Sequence, residues 1–106
     1  MTKQEFCDSA SRAALHAYLG PGSSIYGQIH DPERNEYSLW FILPSIPSEN
    51  EIEDISASTA LITAYFHHPF EREWKWSLAD SIGPKDLEGW IKLWPIELPE
   101  EAEGIV

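Results

Sequence analysis

The chain predicts an α+β domain: an N-terminal helix packed on an antiparallel sheet of about four strands, with a C-terminal helix on the same layer. Three observations predict it. Phe6, Ala10, Ala13, Ala14, Ala17 and Tyr18 recur at three- and four-residue steps, the period of a helix with one apolar face. Over 36–43 and 72–78, large apolar or aromatic residues instead occupy alternate positions, the period of an extended strand. Proline, glycine and asparagine punctuate the chain at short intervals, and consecutive strands joined by short connections usually pair.

Taken in order, Thr2 and Glu5 have the spacing of a capping box, so a helix should run from Lys3. Gly20 and Pro21 supply its left-handed stop and a residue that cannot continue it. Over 24–30, Ile25, Gly27 and Ile29 alternate with Tyr26, Gln28 and His30. After the turn-rich Asp31-Pro32-Glu33-Arg34-Asn35 the extended pattern resumes over 36–43, which reads as an antiparallel hairpin. Its second strand sets Tyr37, Leu39, Phe41 and Leu43 on one face and Ser38, Trp40 and Ile42 on the other. Neither face is plainly polar, so this strand is expected to be central or to meet a partner.

Pro44 and Pro47 end that strand, and Ser48 with Glu51 repeats the capping-box spacing ahead of Ile52 and Ile55, predicting a short helix over 49–56. From Thr59 two readings compete. Thr59, Ile62, Thr63, Tyr65 and Phe66 favour a pleated surface and predict a strand over 59–67, pairing with 72–78 as a second hairpin. Ile52, Ile55, Thr59, Ile62 and Phe66 also fit helical steps, which would give one helix to His67 and a sheet of three strands. Within 72–78, Trp74 and Trp76 share a face, the expected wall of the core. Asp80-Ser81-Ile82-Gly83 then turns, and Pro84 is preorganised to begin a helix whose stripe is Leu87, Trp90, Ile91 and Trp94, ended by Pro95. Gly89 inside that helix costs about 1 kcal/mol relative to alanine. From about 96 the tail carries Glu97, Glu100, Glu101 and Glu103 with little to pack, and is expected to be loose.

A chain of 106 residues fits one domain, and its 42% hydrophobic and 12% aromatic content suit a packed core despite the charge imbalance. Eighteen acidic residues against seven basic ones give a formal charge of −11, which repels nucleic-acid phosphates and anionic lipid and attracts basic partners. Direct nucleic-acid or membrane binding is therefore not expected. The single Cys7 excludes an internal disulfide, and the N-terminal MTKQEFCDSA lacks the unbroken apolar core of a signal peptide, so a cytoplasmic location is expected.

Residue patterns for chemistry are sparse, and neither a cofactor nor a metal site is expected. His67 and His68 are adjacent, so in a strand or a helix their side chains diverge and do not chelate one ion together. Cys7 stands between Phe6 and Asp8, with no base beside it in sequence to activate a thiol, and reads as structural. Glu49, Glu51, Glu53 and Asp54 form the densest acidic cluster, read as a solvated charged patch at a helix start. Five tryptophans, Trp40, Trp74, Trp76, Trp90 and Trp94, are many for this length. Two or three, including Trp76 and Trp90, are expected in the core, leaving others as anchors for a partner.

Acidic charge, surplus indoles and missing catalytic motifs together favour a small protein-binding inhibitor or immunity protein. Its expected partner is a basic, nucleic-acid-handling protein such as a nuclease toxin, met through Glu49, Glu51, Glu53, Asp54, Trp40 and Trp74. The alternatives are a non-catalytic structural or adaptor domain that homodimerises, and an enzyme using His30, His67 or His68 with nearby carboxylates.

Overall fold

The computed structural model describes residues 3–31, 36–63 and 72–95. Their elements are α1 (Lys3–His16), β1 (Ser24–Asp31), β2 (Glu36–Leu43), α2 (Glu49–Thr63), β3 (Arg72–Leu78), two 3₁₀ turns (Ala79–Ser81 and Pro84–Leu87) and β4 (Ile91–Trp94). The four strands form one sheet in the order β3-β2-β1-β4. β1 is antiparallel to β2 and to β4, as expected of a hairpin, but β2 and β3 run parallel. The class is α+β as expected; the sheet is mixed rather than antiparallel.

The parallel pair follows from α2. Its helix continues through Thr63, so the strand predicted from Thr59 is not formed, and the helical stripe prevails over local strand propensity. Packing explains the outcome. Ile55, Ser58 and Thr59 are fully or almost fully buried, and the two hydroxyls are satisfied within the helix: Ser58 Oγ donates to the Ile55 carbonyl and Thr59 Oγ1 to that of Ser56, both at 2.7 Å. A helix between two strands of one sheet carries the chain back to its starting edge, which makes those strands parallel. Residues 64–67 of the predicted strand, His67 and His68 lie outside the described residues.

The helix caps are partly as read. Ser48 and Glu51 form the predicted box: Glu51 N donates to Ser48 Oγ at 3.2 Å, and Ser48 N to Glu51 Oε1 at 3.4 Å. Thr2 lies outside the described residues. At the other end of α1 the left-handed residue is Tyr18 (φ 56°) and not Gly20. Leu19 N donates to the Ala14 carbonyl at 3.0 Å and Tyr18 N to that of Leu15 at 3.2 Å, the two bonds of a Schellman closure.

The core lies between the sheet and the helices. Phe6, Ala10, Ala13 and Ala14 of α1 meet Ile25, Tyr37, Leu39, Phe41, Leu43 and Leu93. Gly27 in β1 leaves room for Phe6 of α1 and Leu93 of β4: a Cβ there would stand 2.6 Å from Leu93 Cδ1 and 2.8 Å from Phe6 Cζ. The register of β3 on β2 puts Trp74 beside Leu39 and Trp76 beside Phe41, on this same face, where both indoles are half-buried against the core as predicted.

Residues 84–94 do not form the predicted C-terminal helix. They make a 3₁₀ turn and β4, with Gly89 at φ 81° breaking the run. Because β3 and β4 occupy opposite edges, the chain between them crosses the second face of the sheet. There Trp90 packs on Trp40 with centroids 5.2 Å apart, and Gln28 Nε2 donates to the Gly89 carbonyl at 3.4 Å. This strap explains why Trp40 and Ile42 are buried on the face away from the helices. β2 is central, as its two apolar faces predicted. The acidic tail lies outside the described residues.

Candidate functional site

The four acids of α2 are all exposed, but they do not act as one cluster. At 100° per residue, Glu49 and Glu53 share one side of the helix while Glu51 and Asp54 share another, nearer the buried Ile55. Glu51 and Asp54 line a cleft of about 280 Å³ between the end of α1, the end of β2 and the first turns of α2. Tyr18, Leu19, Pro44 and Ser45 form its opposite walls.

Tyr18 decides the character of this cleft. It is 86% exposed, although a tyrosine buries a large apolar ring when it serves the core. It also holds the left-handed conformation that costs a side-chain-bearing residue about 1 kcal/mol and glycine almost nothing. The left-handed backbone belongs to the helix closure, and the ring stands in solvent beside the cleft. Leu15, one turn before it on α1, is 77% exposed, and Ile46, following Ser45 on the cleft wall, is 74% exposed. Apolar groups beside two carboxylates suit an amphipathic cationic side chain, whose stem packs on the ring while its head meets the charge. Glu51 gives part of its carboxylate to the Ser48 cap, while the Asp54 carboxylate has no hydrogen-bond partner among the described residues.

The indoles expected as anchors are placed elsewhere. Trp40 is 6% exposed, with its Nε1 donating to Ser77 Oγ at 3.0 Å, so it is a buried residue of the strap-covered face and not an available anchor. Trp74 stands half-buried on the helix side, edge-on to Phe41 with centroids 5.9 Å apart. Neither indole lines the cleft of Glu51 and Asp54, and the aromatic beside those acids is Tyr18. In sequence Tyr18 continues the apolar stripe of α1, yet it falls two residues after the last helical residue, His16.

The second face carries a separate cleft near His30, Ser38 and Lys75. His30 Nε2 lies 2.6 Å from Ser38 Oγ, the contact a base makes with a nucleophile. β2 is paired along both edges through Ser38, so its amides are taken up in the sheet and do not form a donor pair for an oxyanion. Cys7 is buried, with Ser11 Oγ donating to its carbonyl at 3.0 Å. Among the described residues no group of three His, Cys, Asp or Glu side chains is placed to hold a metal, and no helix is long and apolar enough to cross a membrane.

Comparison of the chain with protein-family models, curated proteins and solved structures finds no match. The functional reading therefore rests on geometry and charge.

Proposed function

We propose that the protein is a binding module for a basic protein surface, which it meets through the cleft of Tyr18, Glu51 and Asp54. Within that class the reading is a small inhibitor or immunity protein, an antitoxin in the case of a toxin partner, that covers a nucleic-acid-handling protein. Such a partner carries a cationic groove evolved for phosphates, and a chain with a formal charge of −11 is steered towards it over long range. The observation that carries the reading is Tyr18, exposed and left-handed beside two carboxylates.

The test is affinity capture from the native host with the wild-type chain and with the Tyr18→Ala and Asp54→Asn variants. Both replacements are at exposed positions and leave the fold intact, which circular dichroism checks. The expected result is a basic nuclease or other nucleic-acid-processing protein held at low salt, released as salt rises, and retained at least about tenfold less by either variant. Recovery of no basic protein, or equal retention by all three chains, sinks the reading.

One observation favours a second reading, an adaptor that homodimerises. The outer edge of β3 has no strand partner among the described residues, and an open edge invites pairing with a second copy. Light scattering at high concentration separates the two, since a strict monomer excludes it.

A further inference from the structure

The cleft on the second face differs in chemistry from the rest of this acidic molecule. It has a volume of about 270 Å³, and the groups that matter in it are Gln28, His30, Ser38, Lys75 and Trp90. No described side chain lining it is acidic. Lys75 is exposed, and among the described residues no carboxylate pairs with it, although the chain holds eighteen acidic residues. Its ammonium lies instead 4.1 Å from the ring centroid of Trp40 and 5.5 Å from that of Trp90. A cation held over indoles is positioned without being neutralised, so its N–H donors stay available to an anion.

The other polar groups point to the same ligand. Ser38 is only 8% exposed and shares its hydroxyl contact with His30. When His30 Nε2 carries the proton and donates to Ser38 Oγ, the serine hydroxyl is free to donate to a third group. Gln28 is oriented by its bond to Gly89 on the strap, with a second amide N–H that meets no acceptor among the described residues. Trp90 adds flat apolar surface.

We propose that this cleft binds a small organic oxyanion, a carboxylate or phosphate monoester attached to one flat ring. Lys75 and the Ser38–His30 pair hold the anionic group, and the ring lies against Trp90. The volume is at the small end of ligand sites, which limits the body to about one ring. The site is separate from the cleft of Tyr18 and stands or falls independently of the partner proposed there.

The experiment is an NMR titration of the full ¹⁵N-labelled chain with phenyl phosphate, benzoate, inorganic phosphate and phenol. Saturable shifts are expected for the Trp90 indole, the Gln28 amide and the backbone of residues 28–30 and 38 with phenyl phosphate or benzoate, the tighter of the two naming the group. Lys75→Met should raise the Kd about tenfold with an otherwise native spectrum. Glu51→Gln in the other cleft should leave it unchanged. No saturable shift with either aryl anion overturns the proposal, as does phenol binding as tightly, or Lys75→Met binding as wild type does. Inorganic phosphate binding as tightly as phenyl phosphate removes the role of the rings.

Discussion

Tyr18 makes opposite contributions to folding and to contact. Its left-handed backbone is one that glycine adopts freely, while glycine also adds conformational entropy to the unfolded chain. The first effect is the larger, so Tyr18→Gly should raise stability by about 0.5–1 kcal/mol, seen as a higher midpoint in urea. Tyr18→Ala keeps the strain and should leave the midpoint nearly unchanged. Both remove the ring and should weaken the proposed partner's binding alike. A Tyr18→Gly chain that is less stable than wild type would show that the ring packs after all. Gly27 is the contrasting case, because there it is space and not φ that requires glycine: Phe6 and Leu93 occupy the room a Cβ needs. Its place in β1 was legible from the alternation of Ile25, Gly27 and Ile29, but the reason for a glycine was not, since Phe6 and Leu93 are far from it in sequence.

At the scale of elements, α2 decides the topology. Its start was legible because a capping box is a local device, complete within Ser48 to Glu51. Ser48→Ala removes the acceptor for Glu51 N and should cost about 1 kcal/mol, a fall of roughly 4 °C in Tm by thermal unfolding. An unchanged Tm would mean that the first turn is held by packing and not by its cap. The end of α2 was not legible in the same way. Thr59 has strand propensity, yet its hydroxyl is met by the Ser56 carbonyl and its side chain is buried, so tertiary contact outweighed preference. The opposite happened over 84–94, where a helical stripe was present in Leu87, Trp90, Ile91 and Trp94. Gly89 breaks it at positive φ, Ile91 to Trp94 pair with β1, and Trp90 turns to the other face to cover Trp40.

For the whole molecule, one charge distribution should produce salt effects of opposite sign. A formal charge of −11 on a compact domain is self-repulsive, and screening relieves it. Raising NaCl from about 20 mM to about 200 mM should therefore raise Tm, while the same change weakens binding to a basic partner. A Tm that falls with salt would mean that attractive pairs outweigh the repulsion. By itself the sequence determined what depends on neighbours along the chain. It set the α+β class, the apolar stripe of α1, the β1–β2 hairpin with its face pattern, the Ser48 cap and the acidic balance, because period, caps and net charge are local or additive. Only the tertiary structure decided the parallel β2–β3 pair, the strap across the second face, the burial of Trp40 and the meeting of Tyr18 with Glu51 and Asp54. Each of these joins residues distant in sequence, and which long-range contacts form depends on how helices, strap and sheet compete to cover the same apolar surface.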